Sequence, residues 1–501
     1  MHRPPTAEAE VAADLAAVRP DLGPRFTAGL PGARAAVLTR LWRALAHEPL
    51  PWIERREHGA EDLTLRLRDG RALNGPGPDP YATTAYVTAV ELAGVSYDDP
   101  ARLLTDLGVP NGTAFAAELG HSAASLALSR AAQQPSTKEP VHDWEWEQRV
   151  VDGHPYHPNC RSRPGFSVAE QLAYGPEHRP EVRLALLPVP AAECLVSGEW
   201  PKDLRDGERL LIPVHPWQAE HVLKRSCEQG LTARPLMSLR TLAVPGGPHV
   251  KTSLSARLTS SVRDISVASV AASAALSAFA ETLAEHTDGL LHFTRTFGAA
   301  TPDSPDLAAV LRESPAVYAG PGERVVPVAA LPLTGLPDSP AWSAEFARLA
   351  LTAGLRLLEL GVALEAHGQN LLVVLSSAGT PLRLVYRDLA DIRVGPSRLA
   401  RHGIALPPDL PARILTDDVT ALRRKLFGSL VAGTLAGTTG DGTALEAALG
   451  TAVRQLPRTP DLVALCEEPV PAKALTLMRL SPGTPGDQWA LLPNPLVRGG
   501  A

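Results

Sequence analysis

Hydrophobic and polar positions follow two different periods along this chain, and the changes of period divide it. Val37, Leu38, Leu41, Trp42 and Leu45 recur at helical spacing, and "TAFAAELGHSAASLALSRAA" carries a second apolar stripe of the same period. Between them Leu63, Leu65 and Leu67 alternate with Thr64, Arg66 and Arg68 before Asp69-Gly70, which predicts a strand entering a tight hairpin. The polar stretch "QQPSTKEP" from Gln133 to Pro140 predicts a boundary, so residues 1–140 read as a mostly helical N-terminal region. Strand-like runs follow at "VRLALLPV" and "RLLIPVHPW", then the Ala- and Ser-rich "ISVASVAASAALSAFA", which predicts a buried helix; residues 141–320 read as mixed α/β. The Pro- and Gly-rich passage from Ala300 to Pro340 predicts a mobile cover or a connection between lobes. In residues 321–501, Phe346, Leu349, Ala350, Ala353, Leu357 and Leu360 mark an amphipathic helix. It leads into "EAHGQNLLVVL" and "PLRLVYRDLAD", each a polar cluster joined to a strand-like run, and helical patterning resumes at the cap-like "TDD" of Thr416. The fold class these elements predict is α+β.

Composition narrows the chemistry. A chain of 501 residues exceeds what one hydrophobic core organises, so two or three subdomains are expected. Lys and Arg total 48 against 54 Asp and Glu, a formal charge of -6 that offers no polycationic face to nucleic acid or an anionic membrane. Small molecules are then the expected partners. The four cysteines, Cys160, Cys194, Cys227 and Cys466, are scattered without a CxxC pair, which argues against a zinc ribbon, an iron-sulfur cluster or a disulfide framework and for a cytoplasmic location. The N-terminal "MHRPPTAEAEVAADLAAVRP" lacks the apolar core of a signal peptide, and the most apolar run is shorter than the roughly 20 residues that cross a bilayer.

Four polar clusters stand out. "GHPYHPNCRSRPGFS", Gly153 to Ser167, holds His154 and His157 before prolines, with Arg161 and Arg163 behind them; proline pushes the residue before it toward extended geometry, so both histidines are expected on a rigid loop. A third His-Pro, at His215, reads better as a strand-end histidine packed by Trp217. Between Ser238 and Ser266, Arg240, Lys251, Arg257 and Arg263 are interleaved with hydroxyls, among them Ser238, Ser253 and Thr259. Cations beside hydroxyls are what a polyphosphate or polycarboxylate requires. No GxxxxGK[ST] loop is present, so any nucleotide is held otherwise. The last two clusters are Glu365, His367, Gln369 and Asn370, then Arg387, Asp388 and Asp391 across an apparent strand pair. Oxygen ligands on adjoining strand ends suit Mg²⁺, with Glu365 and Asp388 as candidate ligands; a pairing of Asp388 with Arg387 or Arg393 is the competing account.

Together "GHPYHPNCRSRPGFS", "HPWQ", "SLRT", "KTSLSARLTSSVRDIS", "EAHGQN" and "RD" resemble the IucA/IucC family of siderophore synthetases, and "PAKALTLMRL" resembles its C-terminal part, which is similar to ferric siderophore reductases. Those reductases use clustered cysteines that this chain lacks. The resemblance implies a hand-like fold of helical thumb, α/β fingers and palm, with the active site between fingers and palm. It implies ATP- and Mg²⁺-dependent condensation of a carboxylic acid, citrate or a citryl or succinyl derivative, with an amine or alcohol through an acyl-adenylate. By position it implies that Ser238, Arg240, Lys251 and Arg263 hold the triphosphate beside His154. Thr259, Arg263, His367 and Gln369 would orient the acid, and Glu365, Asp388 and Asn370 would hold Mg²⁺. His154, Arg263 and His367 would be the catalytic groups, a neutral histidine taking the proton of the attacking amine. Two positions depart from the family: Arg161 stands where lysine is usual, and Leu389 where phenylalanine is common. An apolar thumb could serve a homodimer. The rival readings are a kinase-like phosphotransferase, from "HGQN" and "RD" flanking a strand, and an inactive binding protein for an iron chelator.

Overall fold

The computed structural model describes residues 6–133, 138–225, 230–258, 261–408 and 410–497. Three packed bodies follow one another. In the first, the helices Gly23–His47 and Gly112–Ala131 lie together, and an antiparallel meander covers them; among the described residues it runs Ile53–His58, Asp62–Leu67, Ala72–Pro76, Val90–Leu92 and Val95–Tyr97. The alternating leucines decide which face is inside: Leu63, Leu65 and Leu73 are buried against Trp42 and Phe115. The expected hairpin is present, with Gly70 at φ +87° at its turn.

The second body is an antiparallel sheet. Its strand order, among the described residues, is Leu195–Gly198, Thr296–Thr301, Ala309–Arg312, His249–Thr252, Thr241–Ala243, Gly230–Pro235, Val182–Pro190, Arg209–Val214 and Arg205–Asp206. Two expectations change here. The passage expected to be a mobile cover supplies Ala309–Arg312, an inner strand paired on both sides, and Arg324–Pro327, an edge strand of the next sheet. Its prolines and glycines sit in the turns between strands too short to show a period. The Ala- and Ser-rich run is two helices, Val267–Ala271 and Ser273–Glu285, and only one side is buried: Ser269 and Ser273 face a cavity.

The third body carries the helix Pro340–Leu360, capped by the Ser339 hydroxyl, which accepts from the Trp342 amide. Its buried leucines pack beneath the strands Leu291–Phe293, Pro381–Tyr386, Leu371–Leu375 and Arg324–Pro327. The Ser273–Glu285 helix and the Leu291–Phe293 strand share this core, so the chain crosses between the second and third bodies three times. Asp418 caps the helix Val419–Ser429 at the expected "TDD". Among the described residues no helix is long and apolar enough to cross a membrane.

Because Leu311 is fully buried on an inner strand, Leu311→Ala is expected to cost about 2–5 kcal/mol of unfolding free energy. Urea unfolding followed by circular dichroism measures it; a change near zero would return this passage to the role of a linker.

Candidate active site

Side chains from the two sheets meet around a polar cleft. Lys251 comes from an inner strand of the large sheet, Arg312 from the end of its neighbour, and Asp388 from the turn that follows the strand Pro381–Tyr386. The Asp388 carboxylate accepts from Lys251 Nζ at 2.7 and 3.0 Å and from the Arg312 guanidinium at 3.0 Å. Asp388 sits at φ +73°, a backbone state a non-glycine residue holds only when its surroundings impose it. Burial opposes its ionisation, but Arg312, Lys251 and Arg240 hold its carboxyl well below the usual range. Burial likewise pulls the Lys251 ammonium down despite Asp388.

Below this knot lies a cavity of about 230 Å³. It brings together Ser238, Arg240, Lys251, Arg263, Glu365, His367, Gln369, Asn370 and Asp388. These residues span three of the four sequence clusters, and Arg161 and Arg163 of the first cluster line the cavity as well. Arg240 donates to the backbone carbonyls of Arg263 and Asp264, both at 2.6 Å, which fixes the segment carrying Arg263. The Ser238 hydroxyl accepts from the Thr241 amide at 3.1 Å, which turns the loop at the cavity wall. A second cavity, of about 270 Å³, shares Arg240, Lys251, Arg263 and Asp388 and continues to Ser269, Ser273 and Leu276. Thr259 lies outside the described residues.

Glu365 is held by two lysines that the sequence reading did not assign: Lys473 Nζ at 2.6 Å and Lys425 Nζ at 2.9 Å. Burial works against its charge, yet Lys473 and Lys425 keep its carboxyl far below the usual value. Lys473 stands in the quoted "PAKALTLMRL", whereas Lys425 follows two arginines on a helix and reads as part of a solvated face. Among the described residues no group of three or more His, Cys, Asp or Glu side chains could hold a metal ion. A cation that takes one or two protein oxygens and completes its shell with phosphate and water fits Asp388, Glu365 and Asn370; one that needs a full protein cage does not.

The histidine loop is irregular, as its prolines dictate, with Gly153 at φ +72° against Cys160 and Arg161. His154 keeps an open face on the cleft beside His367, across a small recess of about 80 Å³. Desolvation first, then His157 and His367, hold its imidazole well below the usual value; His367 is lowered chiefly by burial. Both are therefore neutral. In each, Nδ1 accepts a backbone N–H two residues on, from Tyr156 at 3.2 Å and from Gln369 at 3.3 Å. A neutral ring whose Nδ1 accepts carries its proton on Nε2, so both rings present a donor to the cleft. This differs from the expected role as a base.

Arg161 and Arg163 are buried rather than solvated. Both pair with Glu177, at 3.3 and 2.8 Å, which is fully buried and kept ionised by them against the cost of burial. Arg387 pairs with Glu147 at 2.7 Å and donates to the Gln369 carbonyl, so the competing account of an Asp388–Arg387 surface pair does not hold. His215 caps its helix through Nδ1, which accepts from the Trp217 amide, the packing role expected of it.

Residues 142–332 match the model of the IucA / IucC family, and residues 340–484 match that of the ferric iron reductase FhuF-like transporter. Residues 142–332 are thus similar to the IucA/IucC family, a match that covers less than half of the chain. Among the curated relatives of this chain is the citryl-spermidine/3,4-dihydroxybenzoyl-citryl-spermidine:spermidine ligase of Bacillus anthracis. It is 27% identical over 312 residues, 49% of this chain and 51% of the relative. A D-ornithine--citrate ligase of Staphylococcus aureus (strain NCTC 8325 / PS 47) is 22% identical over 57% of this chain and 55% of its own length. The chain thus spans about half the length of the curated relatives it matches. Two solved structures share the mixed α/β fold of this chain. The petrobactin biosynthesis protein AsbB of Bacillus anthracis str. Sterne has a TM-score of 0.76 at 19% identity, covering 95% of this chain and 98% of its own. The ATP-bound aerobactin synthetase IucA of Klebsiella pneumoniae has a TM-score of 0.69 at 19% identity, covering 93% and 99%.

Buried neutral histidines give this chain an acid limit. Burial lowers His215 to about 3, so between pH about 6.5 and 3 the unfolded chain binds a proton there that the folded chain does not. Stability therefore falls as pH drops through this window, by about 1.4 kcal/mol per pH unit for this residue. His215→Asn, whose Oδ1 can still accept from Trp217, is expected to flatten that slope by about one proton in urea unfolding between pH 7 and 4; an unchanged slope would mean His215 is protonated in the folded state.

Proposed function

We propose that this protein is an ATP-dependent synthetase that activates a carboxylic acid as an acyl-adenylate and condenses it with an amine or alcohol. Citrate or a citryl or succinyl derivative is the preferred acid. The observation that carries this reading is the single cavity in which Arg240, Lys251 and Arg263 face Glu365, Asp388 and the His367 imidazole. Two substrates that are both polyanions need a surplus of fixed cations before their reacting ends can approach. The relatives' printed activities, citrate- and spermidine-directed ligation and ATP binding, support the same assignment. They favour neither the phosphotransferase nor the inactive binder.

On this reading residues 1–140 are the thumb, 141–320 the fingers and 321–501 the palm, with the cleft between the last two as the active site. Ser238, Arg240, Lys251 and Arg263 hold the triphosphate, and His154 donates from Nε2 to an oxygen near the α-phosphate. Arg263 and His367, with Thr259 and Gln369, orient the acid, whose further carboxylates face Lys425 and Lys473. Asp388, Glu365 and Asn370 would hold Mg²⁺, which supplies charge neutralisation at the phosphates when bound. Attack of the acid's carboxylate on the α-phosphorus releases pyrophosphate. The fixed cations stabilise the charge that builds there, without a covalent enzyme intermediate. Attack of the acceptor on the acyl carbon then releases AMP. Since both histidines present Nε2–H, they steady oxygens in these steps while the acceptor reacts as its free base.

The guanidinium of Arg263 lines both larger cavities, and among the described residues no side chain is hydrogen-bonded to it, so it is available to bridge carboxylate and phosphate. Arg263→Lys keeps the charge and loses the fork. Turnover, read as AMP and pyrophosphate released from ATP, Mg²⁺, citrate and hydroxylamine, is expected to fall about a hundredfold. ATP binding by calorimetry should weaken far less, because Ser238, Arg240 and Lys251 remain. A folded variant that turns over at the wild-type rate would remove Arg263 from between the substrates, and ADP as the sole nucleotide product would replace adenylation by phosphoryl transfer.

A further inference from the structure

On the far side of His367 from the anion-binding cavity lies a larger recess, of about 450 Å³. The two share Cys160, Arg161, Met237, His367 and Gln369, so they meet at the imidazole that orients the acid. One wall is apolar, built from Val150, Val328, Pro332 and Leu333, and Gly433 and Gly437 leave room opposite it. The charges lining it are unequal. Asp152, its single carboxylate among the described residues, is taken by Arg130 at 2.5 Å and by the Tyr86 hydroxyl. Arg161 shares one carboxylate, that of Glu177, with Arg163. Arg149 forms no ion pair with a described residue; it donates to the Lys138 carbonyl and lies 5.6 Å from the centre of the Trp146 ring. An apolar trough lined by two guanidinium groups, with its one carboxylate already paired, repels a second ammonium and receives an anion.

We propose that this recess binds the acyl acceptor and selects an amine whose apolar chain ends in a carboxylate over a polyamine of the same length. This rests on the condensation reading above. The acceptor's amine reaches His367 while its carboxylate lies toward Arg149. Its nitrogen lone pair forms the C–N bond at the activated carbonyl carbon. The bond from that carbon to the AMP oxygen breaks with its electron pair leaving on AMP, and the surplus proton on nitrogen passes to water in the cleft.

Lysine and 1,5-diaminopentane test this directly, because they differ only by the carboxylate. With ATP, Mg²⁺ and citrate, AMP release is measured with each, and separately with hydroxylamine, which is too small to need the recess and reads acid activation alone. Lysine is expected to exceed 1,5-diaminopentane in kcat/KM by about tenfold or more, the scale of one charge-assisted hydrogen bond. In Arg149→Ala that ratio should fall toward one, and in Arg149→Lys most of it should return. Because the ratio is taken within each variant, a partial loss of folded protein cancels. Equal or better use of the diamine by the wild type, or an unchanged ratio in Arg149→Ala, overturns the proposal. Absence of hydroxylamine-dependent AMP release overturns the condensation reading, and the proposal with it.

Discussion

The cleft depends on one carboxylate. Asp388 is gripped by Lys251 and Arg312, which stand on neighbouring strands of the large sheet, while Asp388 itself ends a strand of the smaller one. This knot fixes how the two sheets abut and therefore where every other polar group points. Removing one partner of such a buried pair leaves an uncompensated charge, a cost of about 3–5 kcal/mol, well beyond what a surface pair carries. The unusual backbone state of Asp388 is tolerated for the same reason: two cations over-determine its position.

A second tier of charge pairs holds the walls. Glu177 fixes Arg161 and Arg163 behind the histidine loop, Glu147 fixes Arg387 beneath the Gln369 carbonyl, and Asp143 lies 3.0 Å from His249 on the large sheet. None of these carboxylates faces the cleft as a ligand. They position the groups that do, and all three belong to short elements flanking the Gly153–Ser167 loop.

Much of this was legible in the sequence, and the reason is local. The leucines at 63, 65 and 67, the amphipathic Pro340–Leu360 helix and the strand pair around "EAHGQN" and "RD" each carry their period within a few residues. The polar and charged residues singled out in the sequence lie next to strand ends, and nine of them line one cavity. What escaped depends on partners distant in the chain. Arg312 is hidden in a passage rich in Pro and Gly, and its inner-strand neighbours are too few to show a period. Glu177 and Lys425 look solvent-facing until Arg161, Arg163 and Glu365 are folded onto them. The histidine tautomers escaped as well, since they follow from the backbone amides of Tyr156 and Gln369 rather than from residue type.

Four cationic groups around the cleft are already occupied, Lys251 and Arg312 by Asp388 and Lys425 and Lys473 by Glu365, while Arg263 stays available. A polyanion that reaches beyond Arg263 to any of those four must displace a resident carboxylate, which needs a new partner in turn. A divalent cation arriving with the nucleotide is suited to receive it. On the proposed reading, occupancy of the cleft is then in part an ion exchange, with nucleotide, metal and acid entering as a near-neutral set.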